Sequence, residues 1–293
     1  MPDGSIARPM HETTPKVFLI ARPSIDLGGM RSYLEAVGGE SWLDMRLEEA
    51  GGEPPVPGPT DPGEVGGDQP ASASAPTAGE ILVEFAGRAC YRSWEPGLNP
   101  NVTRIRTERG AYFANILSSG HGSVIEHANY SFALREVSRV ATHEIVRHRA
   151  GSAFSQESLR YVRLTDIGFR IPPALEPLRE RVVEIVEQLE EMQREGARAL
   201  GIDDEGVPFH VKKEVTSALR RLAPIGLSTD IIWTANLRTL RHVIQMRTDP
   251  SAEEELRLIF DQVARIMRSE APSLFQDFVR REDGSWVPEH HKV

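Results

Sequence analysis

Cationic and hydroxyl side chains are concentrated in one stretch of the chain, residues 147–161, which reads RHRAGSAFSQESLRY. Its arginines, Arg147, Arg149 and Arg160, carry planar forks of N–H donors that match phosphate oxygens, and the serine hydroxyls add further donors. The formal net charge of the chain is −9, so a basic stretch stands out. The pattern predicts either a site for a nucleotide phosphate or another anion, or a solvated helix end followed by a polar loop.

A second polar cluster lies in SGHGSVIEHANY, residues 119–130. His121, Glu126 and His127 are residue types that can ligate a metal ion. However, no third His or Cys lies at ligand spacing, and HGSVIEH lacks the HExxH spacing that places two histidines one helical turn apart. We therefore predict no metal site here, and a binding or structural role for the histidine beside the glycine turn.

A third cluster, residues 233–247, reads WTANLRTLRHVIQMR and is predicted to form a helix. On such a helix Arg238 and His242 lie one turn apart on one stripe, whereas Asn236 and Arg247 lie on another. A helix with cations on more than one face is either solvated or passes between binding sites. Arg247 also stands at the predicted C-terminus, where the helix dipole favours a cation.

The single cysteine, Cys90 in GRACYRSW, is the remaining candidate for chemistry. A nucleophilic cysteine needs a base or a cation that lowers the pKa of its thiol, and Arg88 and Arg92 are near it in sequence. No surrounding motif is typical of a thiol enzyme, so a structural or site-lining role is predicted. A lone cysteine forms no internal disulfide, which is typical of a reducing cytoplasm.

These clusters must be positioned by a mainly helical chain with a few strands. Apolar periodicity and helix stop signals predict helices over 31–39, 175–200, 211–222 and 233–247, and a further helix that starts at Ser251. Strands are predicted at 16–21, 128–134 and near 169–171.

Residues 51–80 differ from the rest of the chain, because they contain seven Pro and seven Gly and no aromatic residue, Lys or Arg. Such a composition cannot bury enough apolar surface to offset the entropy of ordering, so the segment is predicted to be a disordered insertion. It would separate an N-terminal strand and helix segment, 1–50, from the main body, 81–293, of the same domain.

Whole-chain composition excludes several classes of protein. The chain has 293 residues, 40% hydrophobic and 26% charged, which is typical of a globular protein with a core. No apolar run is long enough for a membrane helix, and the N-terminus lacks the apolar region of a secretory signal. The acidic balance argues against a nucleic-acid partner. We therefore expect a cytoplasmic protein with no membrane or nucleic-acid partner. Since neither GxGxxG nor GxxxxGK[ST] occurs, a dinucleotide would bind without a Rossmann or P-loop device.

Together the three clusters resemble the flavin-dependent thymidylate synthases. The diagnostic motif of that family is Arg-His-Arg followed, after seven residues, by a serine in Ser-x-Arg-Tyr; here RHR begins at Arg147 and SLRY at Ser158. HGSVIEH precedes the motif, WTANLRTLRHVIQMR follows it, and AEEELR comes last, in the order of the family. The resemblance covers roughly residues 81–279 and leaves out the N-terminal part and the insertion.

The resemblance implies an α+β fold, with mixed helices and a central antiparallel sheet, assembled as a homotetramer with shared active sites. It implies that FAD binds outside any Rossmann fold and that dUMP is methylated at C5 to give dTMP. NADPH would reduce the FAD, methylenetetrahydrofolate would supply the carbon unit, and the reduced flavin would deliver the hydride. No enzymic thiol is required, which agrees with the sequence context of Cys90.

The resemblance also implies roles for individual residues. Catalytic roles fall to His121, near flavin and folate, to Ser158, and to Arg247, which would face the pyrimidine and favour its N3-deprotonated form. Flavin contacts are implied for Ser123, Arg147, His148, Arg149, Gln156, Asn236, Arg238 and His242. Nucleotide contacts are implied for Glu144, Gln156, Ser158, Leu159, Arg160, Arg220 and Arg247, with Arg220 reaching the phosphate from a neighbouring subunit.

Several positions depart from the family pattern. Eight residues rather than seven separate Arg149 from Ser158, so the loop between them is one residue longer. Glu144 stands where many members carry Gln, Gln156 where several carry Glu, and His242 where Asn is common. These departures leave open UMP rather than dUMP as the substrate, or a non-catalytic relative that only binds flavin or nucleotide. A phosphate-binding regulatory protein without flavin is a third alternative.

Overall fold

The computed structural model describes residues 10–55 and 75–293. These residues fall into two compact units, each of which the chain enters more than once. Unit 1 contains residues 10–16, 134–147 and 154–232, and unit 2 contains residues 17–55, 75–133, 148–153 and 233–293. The predicted boundaries at residues 50 and 80 therefore do not coincide with boundaries between the units.

The α-helices of the described residues are α1 (Leu27–Val37), α2 (Glu40–Ala50), α3 (Ala78–Tyr91), α4 (Arg109–Ser118), α5 (Gly122–Ile125), α6 (Arg139–Ile145), α7 (Arg179–Ala199), α8 (Phe209–Leu219), α9 (Leu237–Arg247) and α10 (Glu254–Glu270). The strands are β1 (His11–Glu12), β2 (Lys16–Ala21), β3 (Asn129–Ser138), β4 (Ser152–Gln156), β5 (Gly168–Phe169), β6 (Ser228–Asn236), β7 (Phe278–Arg280) and β8 (Trp286–Pro288). This mixture confirms the predicted α+β class.

A four-stranded sheet has the strand order β2-β3-β6-β4. β3 and β6 are antiparallel, because Leu237 N donates to Ala128 O at one end of the pair and Arg139 N donates to Leu227 O at the other. Backbone hydrogen bonds at both ends of β4 make the β4–β6 pair antiparallel as well. The predicted antiparallel sheet is thus confirmed. Two small sheets accompany it, a parallel β1–β5 pair in unit 1 and an antiparallel β7–β8 pair in unit 2.

Alternating burial explains the two central strands of this sheet. In β3, Tyr130, Phe132 and Leu134 are buried at every second position, as expected for a strand, and the strand runs past the predicted end to residue 138. β6 alternates in the same way along STDIIWTAN. The prediction of a helix from residue 233 is therefore wrong for its first turn. β-branched and aromatic side chains continue the strand to Asn236, and the helix begins only after it.

The start of α3 lies inside the segment predicted to be disordered. Thr77 Oγ1 accepts a hydrogen bond from Glu80 N at 3.3 Å, and Glu80 Oε2 accepts one from Thr77 N at 3.2 Å. This capping box begins the helix at Ala78, and Glu80 is fully buried. The disorder predicted for 51–80 is therefore wrong for its last three residues, while residues 56–74 lie outside the described part of the chain.

Unit 2 has a core built around α1, α2 and α3. Its buried cluster comprises Met30, Leu34, Trp42, Leu43, Ile81 and Trp94. Buried Glu84 accepts hydrogen bonds from Arg46 Nε at 2.8 Å and from Arg88 Nε at 2.7 Å, so the charge of this carboxylate is compensated. The predicted apolar stripe of α10 is buried, and α10 packs against α9. Packing against α10 in the core of unit 2 therefore holds α9 in place.

Unit 1 has a smaller core around α7. The buried cluster comprises Leu159, Leu164, Ile167, Val186 and Leu227. The helix predicted over 175–200 begins only at Arg179, because Pro177 lies in a preceding 3-10 helix, Pro173–Leu178. The helix predicted over 211–222 corresponds to α8, and a 3-10 turn, Arg220–Leu222, replaces its predicted last turn.

Other predicted elements match the structure closely. β2 has the predicted bounds. The helix predicted over 31–39 begins earlier, at Leu27, and ends at Val37, where Gly38 adopts a left-handed conformation with φ 75°. α10 begins at Glu254 rather than near Ser251, because Glu253 caps it with its carboxylate. Helices α2 to α6 and strands β1, β4, β6, β7 and β8 were not predicted.

Candidate functional site

The N-terminus of α9 holds the turn that follows the Arg-His-Arg motif in unit 2. Asn236 is its N-cap: the side-chain Oδ1 accepts from Thr239 N at 2.8 Å, and the backbone N donates to Gly151 O at 3.0 Å. Thr239 Oγ1 donates to Ala150 O at 2.7 Å. Gly151 has φ +66°, and a β-carbon there would lie 2.3 Å from Asn236 Nδ2, so only glycine fits. Asn236, an implied flavin contact, thus has its side-chain oxygen engaged in the helix cap.

His148 and Arg247 are hydrogen bonded to each other in unit 2. Arg247 Nε donates to His148 Nε2 at 2.8 Å, and the ring of His242 lies edge-on to that of His148 with centroids 6.2 Å apart. Burial, with smaller contributions from the charge of Arg247 and from neighbouring His242, lowers the pKa of His148 from 6.5 to about 4. His148 is therefore neutral at physiological pH, and its unprotonated Nε2 orients the guanidinium of Arg247.

The second and third sequence clusters meet in unit 2, at α5 and the first turn of α9. Arg238 Nη1 pairs with Glu126 Oε1 at 2.6 Å. A β-carbon on Gly122 would lie 2.7 Å from Arg238 Nε, so the missing side chain lets the guanidinium approach the backbone. Ser123 is exposed and His121 is half-buried beside this pair. Glu126 thus compensates one of the cations that the resemblance assigns to the flavin.

The motif begins in unit 1, directly after α6. Arg147 Nη2 lies 3.0 Å from His143 Nε2, one helical turn earlier. Gln156 Nε2 donates to Thr142 Oγ1 at 2.8 Å and so ties β4 to α6. The prediction that a polar loop joins the two halves of the motif is therefore wrong. A short turn is followed by strand β4, because the backbone of Ser152–Gln156 pairs with β6.

Arg139 supports the chain that leads to Ser158 in unit 1. Its Nη2 donates to Glu157 O at 3.0 Å. Burial lowers the pKa of the Arg139 guanidinium, the Glu157 carboxylate opposes this change, and the charge of nearby Arg220 adds to it. The charges of Arg139 and Arg220 together make their surroundings favourable for an anion.

Arg160 borders a basic cleft of about 410 Å³ in unit 1. Lys213 and Arg221 line the same cleft, and Glu214 is its acidic member. The backbone N of Arg160 donates to Ser158 Oγ at 3.4 Å, so the serine hydroxyl turns back onto its own chain. A cleft lined by these side chains attracts anions.

Leu159, unlike its polar neighbours, has a buried side chain. Its side chain is only 9% exposed and belongs to the core cluster of unit 1. The implied nucleotide contact of Leu159 can therefore be made only through its main chain, since the side chain packs inside the unit.

The structure divides the predicted site residues between the two units. Unit 2 holds His121, Ser123, His148, Arg149, Asn236, Arg238, His242 and Arg247. Unit 1 holds Glu144, Arg147, Gln156, Ser158, Leu159, Arg160 and Arg220. The ligand roles of these residues stay predictions. Sequence reasoning missed four positioning residues, Gly122, Arg139, Gly151 and Thr239; the glycine directly after RHRA was a usable signal for a tight turn.

The remaining candidates for chemistry are also placed. Cys90 is exposed, but Arg88 is buried in its ion pair with Glu84 and donates to two backbone carbonyls, so it does not serve the thiol. No group of three His, Cys, Asp or Glu side chains in residues 10–55 and 75–293 could hold a metal ion. None of the helices in those ranges combines the length and apolarity needed to cross a membrane.

The similarity to known proteins extends over the predicted site residues of both units. Residues 74–273 match the family described as "Thymidylate synthase complementing protein". The chain is 36% identical over 210 residues to a flavin-dependent thymidylate synthase of Corynebacterium diphtheriae, covering 70% of this chain and 81% of the relative. It is 38% identical over 216 residues to that of Mycobacterium marinum, covering 71% and 84%. The corresponding Mycobacterium tuberculosis protein is 37% identical over 205 residues, covering 68% and 80%.

Proposed function

Since the chain belongs to the family of flavin-dependent thymidylate synthases, we propose that it methylates C5 of dUMP to give dTMP. FAD is the proposed cofactor, NADPH the reductant and methylenetetrahydrofolate the carbon donor. The observation that carries this proposal is the family match over residues 74–273, which spans every site residue named above. When bound, the reduced flavin supplies the hydride that completes the methyl group.

The donor set of unit 2 fits a flavin dinucleotide. Arg149 is exposed, and its guanidinium has no hydrogen-bond or ion-pair partner among the described residues. Ser123 and His242 are exposed as well. The fork of N–H donors on Arg149 suits the pyrophosphate of a dinucleotide, and the Ser123 hydroxyl is a further donor of unit 2. Arg147 would add a further cation, while Asn236 would act mainly by fixing the turn that carries Arg149.

His148 would act chiefly through Arg247. Because its pKa is lowered to about 4, His148 stays neutral and accepts the hydrogen bond from Arg247 Nε. This hydrogen bond orients the Arg247 guanidinium and thereby fixes the direction in which its outer nitrogens point. Against a uracil ring, such a cation lowers the pKa of N3 and raises the electron density at C5, the carbon that is methylated.

The anion-favouring residues of unit 1 would hold the nucleotide. Ser158 and Arg160 supply a hydroxyl and a guanidinium, and Arg139 fixes the preceding residue through Glu157 O. Arg220 would bind the phosphate, and the mutual repulsion of the two arginines would be relieved by that anion. We propose further that the active form is a homotetramer in which Arg220 reaches the nucleotide of a neighbouring subunit.

The proposal is tested by comparing two nucleotides on one FAD-loaded preparation. With NADPH and methylenetetrahydrofolate, C5-deuterated dUMP is expected to lose deuterium to solvent faster than C5-deuterated UMP. Faster loss from UMP would assign the chain to UMP methylation. A preparation with a flavin spectrum that releases deuterium from neither nucleotide would show a binding protein without this activity, and one that cannot take up FAD would refute the flavin role.

A further inference from the structure

Unit 2 contains a cavity of about 320 Å³ away from the residues assigned above. Its walls come from the chain after β2, from residues 53–55 and from the N-terminus of α3. None of the proposed flavin or nucleotide residues lines it. Its size lies at the lower end of the range of pockets that hold small molecules.

Glu270, the last residue of α10, is the residue of this cavity that indicates a ligand-binding site. Its side chain is 2% exposed and lines the cavity, and its Oε1 accepts no hydrogen bond of suitable geometry from the described residues, although it forms an ion pair with Arg22. Burial raises the pKa of Glu270 from 4.5 to about 7, although the charge of Arg22 opposes this. By contrast, buried Glu80 accepts a hydrogen bond from Ser273 N at 2.7 Å. A buried acceptor without a donor costs free energy that a suitable ligand would recover.

Arg22 supplies the complementary group beside this acceptor. Arg22 Nη2 lies 3.1 Å from Glu270 Oε1, and both residues line the cavity. The site therefore offers an acceptor and a donor side by side, and exposed Glu53 adds a second carboxylate to the wall. The two carboxylates disfavour a free anion, and Arg22 repels a free cation from the buried end of the cavity at Glu270.

The other titratable groups of the cavity wall are exposed Glu53 and buried Tyr130. Burial and the nearby Glu270 and Glu80 carboxylates raise the pKa of the Tyr130 phenol, so the hydroxyl keeps its proton. The remaining walls are largely apolar, with Ile25, Leu27 and Pro54 among them. A ligand must therefore combine one polar edge with an apolar body.

We propose that this cavity binds a small planar cyclic amide, whose N–H donates to Glu270 Oε1 and whose carbonyl accepts from Arg22. The N and O atoms of a cyclic amide are about 2.3 Å apart on one edge. Two roughly parallel hydrogen bonds from that edge therefore reach partners spaced like Arg22 Nη2 and Glu270 Oε1, 3.1 Å apart. The flat apolar body would lie against the proline and aliphatic walls.

The test uses the FAD-loaded full chain and a matched pair of probes, isoquinolin-1(2H)-one and its N-methyl derivative. The N–H probe is expected to bind with a Kd below about 1 mM, and the N-methyl probe at least about tenfold more weakly, because it cannot donate to Glu270. Calorimetric or ligand-observed NMR titration measures both. Equal binding of the two probes, or no binding of either, would overturn the proposal.

Two variants and one competitor locate the bound probe. Leu27→Trp is expected to fill the cavity and abolish binding, whereas Leu200→Trp, at an exposed leucine that does not line it, is expected to leave binding unchanged. An excess of 2′-deoxyribose 5-phosphate, which shares the sugar and phosphate of dUMP but has no cyclic amide, should not displace the probe. If it does, or if Leu27→Trp binds the probe like the unaltered protein, the probe occupies another site and the proposal fails. Because probe binding is measured without turnover, its outcome is independent of the proposed enzymatic activity.

Discussion

Replacing Gly151 with alanine tests whether the turn held by α9 positions the proposed flavin-binding residues. Gly151 has φ +66°, a conformation that costs a residue with a β-carbon about 1 kcal/mol or more. The new β-carbon would lie 2.3 Å from Asn236 Nδ2 and 2.5 Å from Thr239 Oγ1, so both side chains must move. Losing the Asn236 cap costs about 1 kcal/mol, and losing the Thr239–Ala150 hydrogen bond costs about another 1 kcal/mol.

These costs sum to about 3 kcal/mol, which is expected to appear partly as lower folding stability and partly as weaker flavin binding. We expect urea denaturation to show a lower free energy of unfolding, and flavin-fluorescence titration to show FAD affinity at least about tenfold weaker, because Arg149 is displaced with the turn. The effect on FAD is the informative part, since it reports the position of the motif rather than the stability of the chain.

Gly206 offers a matched control for this substitution. Its φ is +79°, but a β-carbon there would meet nothing within 4 Å. Gly206→Ala should therefore cost only the conformational term, about 1 kcal/mol, and leave FAD affinity unchanged. If both variants lose the same stability, or if Gly151→Ala binds FAD like the unaltered protein, the reasoning about the turn is refuted.

Two further substitutions and one segment replacement probe other parts of the molecule. The pKa of Glu270 in the folded protein, about 7, lies above its ordinary 4.5, so its contribution to stability is complete below pH 4.5 and is lost as the pH rises through 7. As the pH rises from 4.5 to 8, the free energy of unfolding of Glu270→Gln, measured by urea titration, should therefore increase by about 3 kcal/mol relative to that of the unaltered protein. A difference that stays constant with pH would contradict this. Arg247→Lys should lower kcat about 100-fold with little change in FAD affinity, because lysine cannot bind His148 and a substrate together; equal loss of both would make Arg247 structural. Replacing residues 56–74 with a short Gly-Ser linker should preserve the unfolding midpoint and turnover, since the capping box of Thr77 remains, and loss of folding would contradict the insertion hypothesis.

Most long elements of the fold could be predicted from sequence, because their burial follows a clear period. β2 and α10 are examples, since each presents a regular apolar pattern to a core. The misplaced elements lie where two patterns adjoin. The strand residues up to Asn236 run directly into the amphipathic helix α9, and only the cap of that helix marks the change. At Thr77, a capping box follows a proline-rich segment whose composition conceals it.

The identity of the candidate site residues could be read from three ordered motifs, but their partners could not. The Glu126–Arg238 and His148–Arg247 pairs join residues about a hundred positions apart, and such contacts follow from tertiary structure alone. The lowered pKa of His148 is likewise a consequence of burial and of neighbouring cations. Position 151 carried a readable signal, because a glycine between two functional halves indicates a turn that a β-carbon would obstruct.

Product analysis tests the central claim most directly. The FAD-loaded protein is incubated with dUMP, methylenetetrahydrofolate and NADPH. The nucleotides are then separated by chromatography, and their masses are measured by mass spectrometry. We predict a product heavier than dUMP by one methylene group that co-elutes with dTMP, and none when methylenetetrahydrofolate is omitted. Unchanged dUMP, in a preparation whose absorbance shows bound flavin that NADPH reduces, would contradict the proposed function.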